Sequence, residues 1–195
     1  MNRKVIICLS IILFGSFFID NFVSENIIHL QHPILTSVME WFSHEITVLV
    51  ILVIISALFL YEEKKNRFIP VLFMSFITAL IVTYFLKFMI MRPRPFGIVP
   101  FDFSLFGIVL TFVDYSFPST HAAIAFSVLP VLDKEFRKLK WFWIFFSCVV
   151  AISRIYLNQH FLSDVIAGSM LGYMIGHYVM RIGEKHGIEK ILHEL

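Results

Sequence analysis

The sequence has little charge, and this shortage excludes several classes of protein. Only 15% of its 195 residues are Asp, Glu, Lys or Arg, whereas 58% are hydrophobic. These polar side chains are too few to cover a water-facing surface or to keep the chain disordered. Lipid is therefore expected to surround most of the chain. The net charge of +2, with no long run of Lys and Arg, gives no basic surface for nucleic acid. Nucleic acid is therefore not expected as a partner.

Cysteine is scarce as well. Cys8 and Cys148 both lie inside apolar runs, and the sequence lacks the partners that a disulfide framework or a thiolate metal site would need. No HExxH or EF-hand spacing is present among the remaining His and acidic residues. We expect both cysteines to be small core residues, and we predict no metal site.

Long apolar runs are what the sequence has in abundance. A helix that crosses a bilayer needs about 20 predominantly apolar residues, and six runs reach or approach that length. They lie near Val5–Val23, His44–Tyr61, Phe68–Ile90, His121–Leu132, Trp141–Leu157 and Phe161–Met180. We therefore predict an all-α, polytopic membrane protein with six transmembrane helices, in which residues 1–195 form a single membrane-embedded domain.

Two of these regions need separate treatment. The fourth run is short and is expected to begin earlier, at Tyr115 or Phe117, whereas Phe101–Val113 before it predicts a re-entrant or interfacial loop. The first run follows Arg3 and Lys4, as the apolar core of a secretory signal does. No Ala-x-Ala-like cleavage site follows it, which favours an uncleaved anchor helix.

The distribution of Lys and Arg predicts an orientation in a cell membrane, because cytoplasmic segments collect these residues. With six spans, all but four of the 16 Lys and Arg residues lie at the termini or in the links after spans two and four. Both termini are therefore expected in the cytoplasm. The link Asp20–Ser43 is then outside, and its apolar residues at helical spacing predict an amphipathic helix at the outer interface.

The basic residues on the outer side point to an anionic partner, because topology disfavours cations there. These residues are Lys87, Arg92, Arg94 and Arg154. Three of them belong to clusters at the ends of spans, which read Lys87-x6-Arg94-Pro95, then Pro118-Ser119-Thr120-His121, then Ser153-Arg154-x5-His160-x3-Asp164. The outer ends of one helical bundle can converge, so the three clusters are expected to meet. Arg92 is interpreted only as a residue that caps the membrane edge.

The residue types in these clusters suit phosphate chemistry. Lys87, Arg94 and Arg154 can clamp a phosphoryl group without a metal ion, since its negative charge spreads over several oxygens in the transition state. Ser119 and the backbone N–H groups around Thr120, where a helix is expected to begin, add further donors.

Two histidines can supply the remaining chemistry. Neutral imidazole attacks phosphorus when a carboxylate holds its other nitrogen, and His160 and Asp164, at i and i+4, are predicted to share one helix face. His121 is then the candidate to protonate the leaving group and later to activate water. Taken alone, the His160–Asp164 pair is more typical of a helix-stabilising pair than of a catalytic one.

Together the clusters resemble the three-part signature of the type-2 phosphatidic acid phosphatase superfamily. Ten specified positions match it in order, within the motif core Lys87–Asp164. That superfamily includes lipid phosphate phosphatases, undecaprenyl-diphosphatases and phosphatidylglycerophosphate phosphatases, with vanadium haloperoxidases as soluble relatives. One position departs from the pattern, because Thr120 stands where the family usually has Gly. Threonine keeps the backbone N–H but restricts φ, so the fine geometry there is expected to differ.

The resemblance implies a six-helix bundle that hydrolyses a lipid phosphate or diphosphate through a phosphohistidine. It implies a polyprenyl diphosphate, such as undecaprenyl diphosphate, as the first substrate candidate, and phosphatidylglycerophosphate or phosphatidate as the alternative. It also implies that no metal or cofactor is required and that the partners are a membrane lipid phosphate and the bilayer. The distribution of Lys and Arg predicts that the site faces the extracytoplasmic side. The catalytic residues implied are His160, His121 and Asp164, and the substrate-binding residues are Lys87, Arg94, Ser119, Thr120 and Arg154.

Two rival classes stay open at this point. An anion transporter would use the same cations but would place ionisable residues in mid-span and show paired repeats. A catalytically idle lipid-phosphate-binding protein would keep the anion site alone. Neither the lipid tail nor the oligomeric state is predicted.

Glycines recur at every fourth residue of the last run, at Gly168, Gly172 and Gly176. Such a stripe lets two helix backbones approach closely in a membrane. We expect it either to fix the last helix within the bundle or to form a contact with a second copy of the chain.

Overall fold

The structure is a computed structural model, and it describes residues 3–44, 51, 54, 55, 58, 61, 68–97, 100–105 and 108–185. The predicted second span, His44–Tyr61, lies largely outside the described residues. The helices discussed below are α1 (Arg3–Ile27), α2 (Pro33–Ser43), α3 (Phe68–Ile90), α4 (Thr120–Ser127), α5 (Leu129–Glu135), α6 (Lys140–Tyr156) and α7 (Leu162–Lys185).

A β-hairpin separates α3 from α4, so the fold is helical but not strictly all-α. Strands β1 (Pro100–Leu105) and β2 (Ile108–Val113) pair antiparallel, with Phe101 opposite Phe112. The expected re-entrant or interfacial loop is thus a hairpin. The β2 sequence Ile-Val-Leu-Thr-Phe-Val explains the difference, because β-branched and aromatic residues favour extended backbone.

Three helices in the described part of the chain are long and apolar enough to cross a membrane, by length and composition. They are Ile7–Leu30, Phe68–Ile90 and Arg137–Tyr156. Large apolar side chains cover their outer surfaces, and Phe18 of α1 is 75% exposed. A surface of this kind suits lipid rather than water, so the prediction of a membrane protein is supported. The count of six spans stays a prediction.

The predicted fourth span consists of two short helices. The first, α4, begins at Thr120, later than the expected start at Tyr115 or Phe117, and ends at Ser127. The second, α5, begins at Leu129 with Pro130 in its first turn. Proline has no N–H to donate to the preceding turn but fits the start of a helix, so the chain restarts there.

An apolar core joins α3, α5, α6 and α7 at one end of the bundle. Leu72, Val131, Leu132, Trp143 and Val179 are buried in it. Leu72 lies near the start of α3 and Val179 near the end of α7, so the opposite end of both helices is left for polar residues. The charged clusters that the sequence singled out lie at that opposite end.

Helix α7 is the centre of the fold, because it packs against α1, α3, α4, α5 and α6. Its glycine stripe faces α4. A Cβ on Gly172 would overlap the backbone of Ala123, and one on Gly168 would overlap the carbonyl oxygen of Ser119. The stripe therefore packs within the chain, which is the first of the two arrangements expected for it.

This packing predicts the effect of a larger residue in the stripe. Gly172→Leu should sharply lower the yield and melting temperature of the folded protein in detergent, because backbone atoms cannot yield as a side chain can. Gly15→Leu is the matched control, since a Cβ on Gly15 of α1 meets nothing within 4 Å. Equal stability of the two variants would contradict the account of the stripe.

Candidate active site

A cavity of about 250 Å³ lies at the polar end of the bundle, where α3 and α6 end and α4 and α7 begin. Its lining consists of Phe76, Leu80, Tyr84, Lys87, Arg94, Asp114, Thr120, His121, Ile124, Arg154 and His160. Six of the eight predicted site residues are in this lining. The other two, Ser119 and Asp164, are fully buried, and the backbone N–H of Ser119 donates to the carbonyl oxygen of Asp164 at 3.0 Å.

Helix α3 and the segment that follows it place two of the cations at the cavity. Lys87 lies in its last turn, and the helix ends in a left-handed residue, Met91, whose N–H donates to the carbonyl of Lys87 at 2.9 Å. Arg94 lies three residues after Met91 and lines the same cavity as Lys87. Both side chains are buried, at 7% and 8% exposure.

Asp114 pairs with both of these cations. The Lys87 Nζ lies 2.8 Å from Oδ1 of Asp114, and the Arg94 guanidinium donates to Oδ2. Asp114 follows β2 directly and also lines the cavity. Sequence reasoning missed it, because an isolated Asp after a strand carries no spacing signal.

The third cation, Arg154, comes from the end of α6. Its side chain donates to the carbonyl oxygen of Ser43 at 3.3 Å and to the Ser43 hydroxyl, so the end of α2 holds it. Its own carbonyl accepts the N–H groups of Gln159 at 3.0 Å and His160 at 3.2 Å. Asn158 permits this tight turn with a φ of 54°, a conformation that Asn tolerates well. The turn places His160 next to Arg154.

His160 is 2% exposed and has one ring nitrogen turned toward Asp164. Its Nδ1 lies 3.8 Å from Oδ2 of Asp164 and 3.3 Å from Oγ of Ser116, whose hydroxyl donates to the same carboxylate oxygen. Ser116 therefore lies between the histidine and the carboxylate. Sequence reasoning assigned no role to Ser116, since a serine two residues before Pro118 carries no signal by itself.

The prediction that His160 and Asp164 share a helix face is wrong, because α7 begins at Leu162. Asp164 caps that helix: the N–H of Phe161 donates to its carboxylate at 2.8 Å, as in one half of a capping box. A helix that starts this way leaves His160 in the preceding turn. An acidic residue at the third helical position was the signal for this start.

Arg92 reaches into the protein rather than capping the membrane edge. Its guanidinium donates to Oδ1 of Asp164 and to Oδ2 of Asp20, both at 2.7 Å, and lies over the ring of Phe161 at 4.2 Å. Asp20 of α1 is 2% exposed and also accepts the N–H of Ser163 at 2.8 Å. The first turn of α7 is thus fixed by α1 and by the segment after α3.

The electrostatics of the cavity favour a neutral histidine beside ionised partners. Burial, and then the cations of Arg154, Lys87 and Arg94, hold the pKa of His160 well below its ordinary value. Burial raises the pKa of Asp114, but Lys87 and Arg94 together outweigh it and leave that pKa below its usual range. At neutral pH His160 is therefore uncharged and Asp114 is ionised.

The start of α4 adds hydrogen-bond donors next to the cations. The first helical bond there runs from the N–H of Ala123 to the carbonyl of Ser119, so the earlier N–H groups have no carbonyl within the helix. The hydroxyls of Ser119 and Thr120 are buried without a hydrogen-bond partner among the described residues. Unpaired donors at a helix N-terminus suit an anion.

Metal ligands are not grouped in the same way. Within the ranges that the structure describes, no three or more His, Cys, Asp or Glu side chains are arranged to hold a metal ion. The charged and titratable groups that the described residues bring to the cavity lining include three cations, two histidines and one carboxylate.

This combination of fold and site defines a family of membrane phosphatases. The family model described as the PAP2 superfamily matches residues 68–188, which is more than half of the chain. The chain belongs to the PAP2 superfamily, and the predicted family is confirmed. Matches that cover most of the chain agree with it.

The chain is similar to an undecaprenyl-diphosphatase of Sulfolobus acidocaldarius, with 31% identity over 140 residues. That match covers 70% of this chain and 66% of the relative, slightly under two thirds of the curated protein's length. Undecaprenyl-diphosphatase BcrC of Bacillus subtilis is 24% identical over 156 residues, which cover 79% of this chain and 78% of that protein. Both relatives are phosphatases by name.

A solved structure is similar along almost the full length. It is the crystal structure of a transmembrane PAP2-type phosphatidylglycerolphosphate phosphatase from Bacillus subtilis, with a TM-score of 0.66 and 25% identity. The similarity covers 92% of this chain and 96% of the other. The helical arrangement described above is therefore that of a PAP2 membrane protein.

The network around Arg92 predicts the effect of losing Asp20. Asp20→Asn should lower the melting temperature in detergent markedly, because breaking a buried ion pair on one side costs about 3–5 kcal/mol. Glu25→Gln, a change at an exposed carboxylate on the same helix, is the matched control and should leave the melting temperature unchanged. If Asp20→Asn were as stable as the control, the network would not anchor α7.

Proposed function

We propose that the protein hydrolyses the phosphate or diphosphate of a membrane lipid through a phosphohistidine on His160. The observation that carries this proposal is the single cavity lined by Lys87, Arg94, Arg154, His121 and His160. Cations bind and stabilise a phosphoryl group, one histidine attacks it, and the other moves protons. Membership of a family in which two similar relatives are named undecaprenyl-diphosphatases supports the same reaction.

Binding comes first. Lys87, Arg94 and Arg154 neutralise the phosphoryl oxygens, and the backbone N–H groups and hydroxyls of Ser119 and Thr120 complete their hydrogen bonds. The arginines offer two-pronged donors and the lysine a point charge, so the group is held with one face toward His160. Positioning of this kind supplies much of the rate in phosphoryl transfer.

The chemical steps then follow from the orientation of His160. Because its Nδ1 is turned toward Ser116 and Asp164, its Nε2 attacks phosphorus. The new N–P bond forms as the bond to the leaving oxygen breaks. His121, which takes up a proton once the negative phosphoryl group offsets the surrounding cations, gives that oxygen the proton. Asp164 stabilises the positive ring that results, directly and through the Ser116 hydroxyl. His121 then takes a proton from water, which attacks phosphorus and releases phosphate and neutral His160.

The apolar part of the cavity indicates a lipid substrate. Phe76, Leu80 and Tyr84 succeed one another along one face of α3 and lead to Lys87. A tail that lies along this face would keep its headgroup at the cations. We favour a polyprenyl diphosphate, because two relatives are named undecaprenyl-diphosphatases. Phosphatidylglycerophosphate or phosphatidate is the alternative, supported by the similar crystal structure.

The orientation is part of the same proposal. The cations and histidines lie at one end of the bundle, and the remaining Lys and Arg residues are concentrated in segments predicted for the other side of the membrane. With six spans, the positive-inside rule then predicts both termini in the cytoplasm and an active site on the extracytoplasmic face.

The decisive test is phosphate release by purified protein in EDTA, with polyprenyl diphosphate, phosphatidylglycerophosphate and phosphatidate compared. His160→Ala should reduce kcat by at least about 10³-fold, as expected for loss of a nucleophile. His29→Ala, at an exposed histidine after α1, should keep wild-type turnover.

Three results would contradict the proposal. Undiminished release by His160→Ala would exclude it as the nucleophile, and loss of wild-type activity in EDTA would exclude a metal-free mechanism. Binding of these lipids by the wild type without any release would indicate an idle lipid-phosphate-binding protein.

A further inference from the structure

Among the described residues that line the cavity, Asp114 is the one carboxylate, and it lies beside cations that suit an anion. Its side chain is 36% exposed, whereas those of Lys87 and Arg94 are buried. Each of its two oxygens accepts a hydrogen bond from one cation, Oδ1 from Lys87 and Oδ2 from Arg94. A carboxylate in that position presents to both cations the same kind of charged oxygen that a phosphate would.

The two cations have backbone acceptors in addition to this carboxylate. Lys87 also donates to the backbone carbonyl of Tyr115. Arg94 donates to the backbone carbonyls of Asp114 and Gln159, both at 3.2 Å. These backbone acceptors hold the cations at the cavity whether or not the Asp114 side chain is charged. The carboxylate is therefore free to give way to another anion by rotating about its own side-chain bonds.

We infer that Asp114 is an internal competitor for the phosphate site, occupying Lys87 and Arg94 in the resting enzyme and weakening the binding of inorganic phosphate. This rests on the proposed function, in which inorganic phosphate is the last product to leave. Three buried cations without a counter-charge would hold a phosphate dianion tightly and slow its release. When the Asp114 carboxylate pairs with two of the cations again, it displaces the phosphate product. Inorganic phosphate has no apolar tail, so only its charge holds it in the site against this competition.

Ionisation of Asp114 is consistent with this role. The neighbouring Lys87 and Arg94 keep its pKa below the usual range despite its burial, so it competes as a full negative charge at neutral pH. The rival role for Asp114 is to organise the two cations for phosphate. The two roles differ in sign, because loss of a competitor tightens phosphate binding and loss of an organiser weakens it.

The test is isothermal titration calorimetry of sodium orthophosphate into purified protein in detergent. Asp114→Asn should bind phosphate at least about tenfold more tightly than the wild type, since one full charge is removed from a cation pair. Asp114→Glu keeps the charge and should stay within about threefold of the wild type. Asp133→Asn is the matched control, because Asp133 pairs with Lys140 at 3.0 Å on the surface and should leave affinity unchanged.

Unchanged or weaker binding by Asp114→Asn would overturn the inference, and so would absence of phosphate binding by every variant. Asp114→Ser is a second uncharged variant with the same expected result. Failure of both uncharged variants to fold would also contradict it, because the backbone acceptors are expected to hold the cations without the carboxylate. The comparison measures phosphate binding alone. A wild type that releases no phosphate from lipids would contradict the proposed function, but the affinities of the variants could still be compared.

Discussion

The buried carboxylate of Asp164 is the interaction on which the rest of the site depends. It caps the first turn of α7, accepts the Ser116 hydroxyl beside His160, and pairs with Arg92. Arg92 in turn binds Asp20 of α1. One carboxylate therefore determines where α7 begins, and it ties that start to three other segments. A buried charge requires such compensation, and the compensation gives the histidine a fixed orientation.

Close packing of α7 against α4 brings the residues at the start of α4 next to those at the start of α7. The glycine stripe removes side chains from the interface, so the backbone at Ser119 lies directly against Gly168. The start of α4 is then held beside the start of α7, with His121 and His160 in one cavity. A larger residue in the stripe would separate the two helix starts, and with them the two histidines.

The sequence predicted the residues that belong to motifs with a characteristic spacing. It missed the residues whose role comes only from contacts with distant parts of the chain. Lys87, His121 and Arg154 are found from motif spacing because they belong to the three clusters at the ends of the predicted spans. Asp20 and Ser116 have partners far away in the chain, and nothing in their neighbourhood distinguishes them from ordinary polar residues. The hairpin and the start of α7 had local signals, a β-branched run and an acidic third helical residue, but the lengths of the apolar runs do not reveal them. Long-range pairing of this kind follows only from the packed structure.

The central claim is that residues separated along the chain form one phosphoryl site with His160 as the nucleophile. A structure determined with orthovanadate, which adopts the geometry of phosphorus under attack, tests it most directly. We expect vanadium bonded to Nε2 of His160, with its oxygens bound by Lys87, Arg94 and Arg154. Vanadate bonded to His121, or bound away from these three cations, would contradict the account.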